Sequence, residues 1–276
     1  MRYMGGKFRQ SKAIVEVLRP YITPDTIYVE PFCGGMWSAA RVARELKPKE
    51  IILNDINKPL MLLWEKCLKE GCDWLPIDSN EIESNYRRYW NTRDENDPLT
   101  AWYGIACSFG GKWFGAIARN KRDTPNGDYS PQLRSTQKKS QSIAMCNPTL
   151  MNNDYKNIEI PDGAVVYCDP PYEGREKVHH FDKFDYDEFW QWVRDLSKRC
   201  IVFTSCFDCP SDFETVYSWG DTVVRYLNSK GTDGTSEKLV KYKGGEIMDC
   251  PYYEPDYCEI RDCEECEYRL EMEEED

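Results

Sequence analysis

The chain has 276 residues, 41% hydrophobic and 13% aromatic, enough to fill the core of one large domain or of one domain with an insertion, which excludes a disordered polymer. No apolar run approaches the ~20 residues that cross a bilayer, and the N-terminus lacks an export signal, so we expect a cytoplasmic protein, off the membrane, whose thirteen cysteines are thiols or metal ligands. The net charge of -12 is carried whole by residues 246–276, where 14 acidic side chains outweigh Arg261 and Arg269; the balanced body leaves a nucleic-acid partner open.

The opening Tyr3-Met4-Gly5-Gly6-Lys7 is, by itself, a flexible start with a basic residue. Residues 26–29 and 51–53 are short β-branched or apolar runs that predict buried strands of a parallel sheet. Between them, 38–46 has apolar positions at helical spacing, with Ala39 and Ala40 small enough for close packing. Strand, glycine turn, helix and strand make a βαβ unit. The turn reads Glu30-Pro31-Phe32-Cys33-Gly34-Gly35-Met36; paired glycines let backbone approach a ligand, but the Gly-x-Gly-x-x-Gly dinucleotide pattern is absent. Asn54-Asp55 follows the next strand, 20 residues beyond Gly35, where a carboxylate reaches the hydroxyls of a bound ribose. A cap before Asn57-Lys58-Pro59 accounts for it equally well, since a helix is expected over 58–70.

Residues 71–160 break this rhythm. A crossover needs far fewer residues, so the span is expected to be an inserted, mostly helical subdomain, with helices at 81–93 and 99–107 and then a glycine-broken Phe109-Gly110-Gly111. From 112 to 139, seven basic residues stand against Asp123 and Asp128, interleaved with Trp113, Phe114 and Tyr129. Lys112, Trp113, Arg119, Lys121 and Arg122 are its candidate phosphate-contacting residues; a solvated loop is the other reading.

A strand at 164–167 leads into Asp169-Pro170-Pro171-Tyr172, at the strand end where open α/β folds place their ligands. Two successive prolines remove backbone donors and fix φ, so the turn presents carbonyl oxygens and the Asp169 carboxylate as acceptors. Such a wall beside an aromatic ring suits a planar group bearing an NH₂. Asp169 and the Pro170 carbonyl each accept one amine proton, the nitrogen lone pair stays free, and Tyr172 stacks on the base; an ordinary tight turn would read the same. A helix at 185–198 and strands at 201–204 and 222–224 complete the set. Nothing spaced around His179 and His180 points to catalysis.

Taken in order, these motifs resemble the Dam-like adenine-specific DNA methyltransferases of prokaryotes and phages. That family shows an aromatic-x-Gly-Gly-Lys element, a Glu-Pro-Phe-x-Gly loop, Asp-Ile-Asn, an inserted recognition region and Asp-Pro-Pro-Tyr. They are matched here by Tyr3 to Lys7, Glu30 to Gly34, Asp55-Ile56-Asn57, the insert, and Asp169 to Tyr172. The resemblance implies an α/β, Rossmann-like, doubly wound and mostly parallel sheet (class I methyltransferase) with an inserted, mainly helical target-recognition subdomain. Residues 1–70 and 161–245 would form the catalytic domain, 71–160 the insert, and 246–276 an acidic, Cys-rich tail. The implied cofactor is S-adenosyl-L-methionine, bound by Tyr3, Lys7, Glu30, Phe32, Gly34, Gly35, Asp55 and Asp169, with catalysis by Asp169, Pro170, Pro171 and Tyr172. Tyr3 stands where tryptophan is common, and Met36 where the family's loop often ends in glycine. The segment 226–238 resembles a loop that approaches the phosphates, which adds Lys230 to the DNA contacts. The implied substrate is the exocyclic amine of an adenine flipped out of double-stranded DNA, modified site-specifically, as in restriction-modification, by a monomer or weak dimer. A methyltransferase of RNA or of a protein amide, or a catalytically idle DNA-binding or anti-restriction protein, is the alternative; an idle protein would have no need of intact Asp55, Asp169 and Tyr172.

Cys250, Cys258, Cys263 and Cys266 fall within 17 residues and end in Cys-x-x-Cys. A structural zinc and free thiols in an acidic tail are both open for them. Cys206-x-x-Cys209 reads as loop and core, not as a redox pair.

Overall fold

Alternation along short strands divides the core in two. In β1 (Ile27–Glu30), β2 (Glu50–Asn54) and β4 (Val165–Cys168), Tyr28, Ile51, Leu53, Val165 and Tyr167 join one buried cluster, while Val29, Ile52, Val166 and Cys168 join another. Strands apolar on both faces require a covering layer on each. The computed structural model, which describes residues 1–118, 129–173, 184–220 and 236–244, supplies both layers.

The remaining strands are β3 (Pro148–Met151), β5 (Ile201–Cys206), β6 (Phe213–Ser218) and β7 (Lys238–Tyr242), and the seven run in the order β3-β2-β1-β4-β5-β7-β6. β1 pairs in parallel with β2 and β4, β2 with β3, and β4 with β5; β7 is antiparallel to both β5 and β6. The sheet is thus doubly wound and mostly parallel, and its order reverses between β1 and β4.

On one face lie α1 (Ser11–Leu18), α2 (Trp37–Glu45), α3 (Lys58–Glu70) and α6 (Ser130–Ala144); on the other, α7 (Tyr186–Leu196) packs Phe189, Val193 and Leu196 against the sheet. Capping sets their starts. The Asn57 side chain accepts the Leu60 amide at 3.2 Å to begin α3, and Gly71, at φ 80°, ends it. Asp185 accepts the Glu188 amide at 2.9 Å, and Asp187 and Glu188 add negative charge to the first turn of α7.

Between α3 and α6 come α4 (Ser79–Thr92), α5 (Pro98–Ala101) and a π-helical turn, Trp102–Ala106. Their Ile82, Tyr86, Tyr89, Trp102 and Tyr103, with Phe114, belong to the same buried cluster as α2 and α3. These elements extend the first core instead of forming one of their own. The helix expected over 99–107 therefore begins as α helix and widens into a π turn. At Gly104 a Cβ would stand 2.7 Å from the Phe114 ring, so glycine lets this turn close over the aromatic side chain.

Two further differences from the sequence reading concern the sheet. Residues 130–151, inside the expected insert, supply α6 and the edge strand β3, so that span is partly sheet domain. Pro148-Thr149-Leu150-Met151 opens on proline and is half-buried throughout, as an edge strand tolerates, and it shows no apolar alternation to signal itself. The strand expected at 222–224 lies outside the described residues, and β6 and β7 fill the antiparallel edge. Among the described residues no helix is long and apolar enough to cross a membrane.

Candidate active site

The C-terminal ends of β1, β2, β3 and β4 point to one edge of the sheet, and antiparallel β7 begins at that same edge. A cleft of about 740 Å³ opens there, lined by Tyr3, Lys7, Phe32, Gly34, Gly35, Asp55, Asp169, Pro170, Pro171 and Tyr172. Four motifs spread over 170 positions thus meet in one place.

The β1–β2 half is tied together by bonds from side chains to backbone. Asp55 accepts the Gly34 amide through Oδ2 and the Asn57 amide through Oδ1, both at 2.9 Å. Asn54 donates to the Pro31 carbonyl (2.9 Å) and the Asn153 carbonyl (3.0 Å) and accepts the Asn153 amide (2.9 Å), joining the loops after β1, β2 and β3. The carbonyl of Gly34 accepts the Trp64 indole N–H at 3.1 Å, and that of Gly35 accepts the Lys139 ammonium. Burial pushes the Asp55 carboxyl up to about 6 and the Lys139 amine down to about 7.

Both glycines are needed for Tyr3. A Cβ on Gly34 would stand 2.8 Å from the Tyr3 ring, and one on Gly35 2.6 Å from its Cβ, so the opening segment can lie on the loop only if both are glycine. The same segment is held from the other side, where the Met4 amide donates to the Gly111 carbonyl at 3.2 Å. Met36 occupies the left-handed region at φ 53°, which explains why glycine suits that position. Its side chain is fully buried, and that burial offsets the ~1–2 kcal/mol cost of the left-handed backbone.

The β4–β7 half is a network of side chains. Lys7 Nζ lies 2.5 Å from Asp169 Oδ1 and 3.2 Å from Glu237 Oε1. The Tyr172 hydroxyl donates to Glu237 Oε1 at 2.6 Å and lies 3.2 Å from Asp169 Oδ1, and Gln10 donates to Glu237 Oε2 at 3.0 Å. Burial raises the Asp169 carboxyl above its ordinary value, with Lys7 pulling it down and Glu237 pushing it up. Burial opposes the Lys7 charge, yet the two carboxylates hold its pKa above the usual lysine value.

Glu30 is placed differently from the other expected cofactor residues. It is 1% exposed, accepts the Tyr28 hydroxyl at 2.6 Å, and lies beneath the cleft wall. Burial lifts its carboxyl to about 8, well above the ordinary carboxylate range. Of the expected DNA contacts, Lys112 is exposed beyond the Phe109–Gly111 turn, whereas Trp113 is half-buried with its ring edge on Phe114, 5.0 Å between centroids. Arg119, Lys121, Arg122 and Lys230 lie outside the described residues, as do His179, His180, Cys250, Cys258, Cys263 and Cys266. The nine cysteines that are described are free thiols, and among the described residues no cluster suits a metal ion.

Sequence reasoning missed Glu237, Gln10, Trp64 and the role of Lys139. Lys139 counts toward the basic patch in sequence, yet it is 4% exposed and stands 4.0 Å above the Trp37 ring, facing inward. Its spacing from Thr136 and Ile143, both buried on α6, is the periodic signal that marks an inward face. Ile56, 53% exposed beside Asp55 in the cleft, presents an apolar surface that the motif alone does not explain.

Residues 3–103 match the D12 class N6 adenine-specific DNA methyltransferase family. The chain is similar to a type II methyltransferase of Methanocaldococcus jannaschii, 25% identical over 72% of this chain and 80% of that one. It is similar also to the retron Ec67 DNA adenine methylase of Escherichia coli, 25% identical over 81% of this chain and 82% of that one. A DNA adenine methylase of Haemophilus influenzae is 28% identical over 68% of each chain.

Proposed function

We infer that this chain, a Dam-like adenine-specific DNA methyltransferase by family, transfers a methyl group from S-adenosylmethionine to the exocyclic amine of adenine in DNA. The observation that carries this reading is the convergence of the Asp169-Pro170-Pro171-Tyr172 turn with Asp55 and the glycine loop in one cleft. An acceptor wall for an amine and a carboxylate for a ribose then open on the same space.

The donor set fits the cofactor. Each Asp55 oxygen takes one backbone amide and retains a lone pair for a ribose hydroxyl. Exposed Ile56 offers an apolar face to a nucleobase, and the Tyr3-covered loop, with Phe32 and Lys7, would hold the methionine end. Six acidic residues, Asp55, Asp154, Asp169, Asp185, Glu188 and Glu237, line the cleft against Lys7, Arg9 and Lys156, an excess that favours a cationic ligand. Bound S-adenosylmethionine supplies an electrophilic methyl group on a positively charged sulfur.

The protein's part is acceptance and alignment. The Asp169 carboxylate and the Pro170 carbonyl accept the two hydrogens of the target amine and draw its lone pair out of conjugation with the ring. They hold the nitrogen facing the cofactor side without a covalent intermediate. Asp169 then takes the proton that the nitrogen sheds as its new bond forms. The Tyr172 ring stacks on the base, which offsets part of the few kcal/mol needed to flip it out of a duplex.

In this reading the substrate is double-stranded DNA, modified site-specifically by a protein acting as a monomer or weak dimer. Residues 71–129, led by Lys112 and Trp113 and continued by Arg119, Lys121 and Arg122, serve target recognition, with Lys230 at the phosphates. The test is nucleoside mass spectrometry of methylation-free genomic DNA incubated with S-adenosylmethionine and either wild type or Asp169→Ala. 6-Methyladenine is expected with wild type alone, the variant falling at least about 10³-fold while remaining folded. Equal product from the variant would remove Asp169 from the mechanism.

A further inference from the structure

We propose that Glu237 is a positioning residue for methyl transfer: a second buried carboxylate that fixes the Tyr172 ring and shares Lys7 with Asp169, leaving Asp169 free to accept the target amine. The proposal rests on the cleft being an adenine methyltransferase site.

Glu237 sits one residue before β7, its carbonyl accepting the Trp219 amide at 3.1 Å beyond the end of β6. It is 7% exposed. A carboxylate this buried is costly unless its oxygens are paired, and both are: Oε1 with the Tyr172 hydroxyl and Lys7, Oε2 with Gln10. All three partners line the cleft, so the pairing faces the reaction and not the core.

The distances give the division of labour. A phenol has one proton, and the Tyr172 oxygen is 2.6 Å from Glu237 against 3.2 Å from Asp169, so the proton goes to Glu237. That bond fixes the polar end of the ring, while Phe207 meets it edge-on at 4.9 Å. A ring held at two points offers a defined face to a base. Lys7 lies between the two carboxylates, 2.5 Å from one and 3.2 Å from the other. When amine hydrogens arrive at Asp169, the ammonium and the phenol proton have a second acceptor already in contact. Without Glu237 both would turn to Asp169 and compete with the substrate for its lone pairs.

The test compares full-length wild type, Glu237→Gln and Glu237→Ala in steady-state methylation of genomic DNA, with S-adenosylmethionine affinity by calorimetry and folding by thermal denaturation. Glutamine keeps an acceptor for Tyr172 but no charge for Lys7. The expected result is kcat lower by about 10-fold for glutamine and about 100-fold for alanine, with cofactor Kd within about 3-fold of wild type. The groups that bond or pair with this cluster are Lys7, Tyr172 and Glu237, with Asp55, Glu30, Tyr3 and Tyr167 acting on Asp169 from β1, β2, β4 and the opening segment. These stay in place in the variant, and removing the Glu237 charge leaves Lys7 to Asp169 alone. The acid limb of the kcat profile in Glu237→Gln should therefore move to lower pH, which a loss of folding would not produce. Unchanged kcat in both variants, or a loss of kcat matched by an equal loss of cofactor affinity with an unmoved acid limb, overturns the proposal. Inactive wild type would overturn the functional reading and this inference with it; active wild type with indifferent variants overturns the inference alone.

Discussion

The two halves of the cleft are built by different means. Around β1 and β2 the anchoring bonds end on backbone: Asp55 to the Gly34 amide, Asn54 to the Pro31 carbonyl, Trp64 and Lys139 to the glycine carbonyls, and the Cys33 amide to the Asn54 carbonyl. Around β4 and β7 the bonds run between side chains, Lys7, Asp169, Glu237, Tyr172 and Gln10. Backbone anchors allow a single geometry and preorganise a pocket for a ligand that always arrives in the same pose. Side-chain ion networks can redistribute when a donor enters, as they must where an amine takes over lone pairs occupied in the free protein. In the proposed function the first half holds the cofactor and the second exchanges partners.

Among variants that keep Asp169 and Glu237, removing Lys7 should have the largest effect on methyl transfer, because it takes the shared cation from both carboxylates of the exchanging half. Lys7→Ala leaves Asp169 and Glu237 without their shared cation, and methyl transfer should fall about 10²-fold. Lys7 is the group that pulls the Asp169 carboxyl down against burial, so the acid limb of the kcat profile should move to higher pH. That shift is opposite in sign to the one expected for Glu237→Gln, and a common direction would contradict the shared-cation arrangement.

Asp55→Asn probes the holding half. It should weaken S-adenosylmethionine binding by about 10- to 100-fold, as the loss of a charge-assisted hydrogen bond of ~1.5–3 kcal/mol requires, while kcat at saturating cofactor changes little. Burial pushes the wild-type Asp55 carboxyl up to about 6, so wild-type affinity should decline as pH falls from 7 to 5 and the variant's should stay flat. Calorimetry across that range decides it; a pH-independent wild type would argue against ionised Asp55 as the acceptor.

The smallest effect belongs to Glu30, which lies under both halves and lines neither. With its carboxyl raised to about 8, folding at pH 7 requires it to take up a proton that Glu30→Gln does not need, so the variant should be the more stable there while methyl transfer changes little. Its folded pKa exceeds its unfolded one, so its contribution is fully present below about pH 4.5 and is lost as pH rises through about 8. The melting temperature of wild type relative to the variant should accordingly fall between pH 7 and 9. A constant difference would mean that Glu30 is already ionised at neutrality.

Much of the holding half is legible in the chain because its parts are local. Glu30 to Met36 and Asn54 to Asn57 are each a strand end and the turn after it, and the 20-residue interval from Gly35 to Asp55 is one helix and one strand. The Asp169-Pro170-Pro171-Tyr172 turn is legible for the same reason. What stayed hidden depends on distant partners. β3 has no alternation to betray it, because an edge strand is only half-buried. Lys139 reads as a surface cation until α6 packs on α2 and turns it toward the Gly35 carbonyl.

Sequence by itself determined which chemistry is available: an acceptor turn, a carboxylate at the end of a strand, a glycine loop and the order in which they occur. Each follows from dihedral and hydrogen-bonding limits acting over a few neighbouring residues. Only the tertiary structure decided that Glu237, 68 positions beyond Asp169, completes the site. It does so because β7 enters the sheet antiparallel, which brings the start of that strand to the edge where the parallel strands end. Strand direction is chosen by pairing across the whole sheet, a non-local free energy that no short stretch of residues contains.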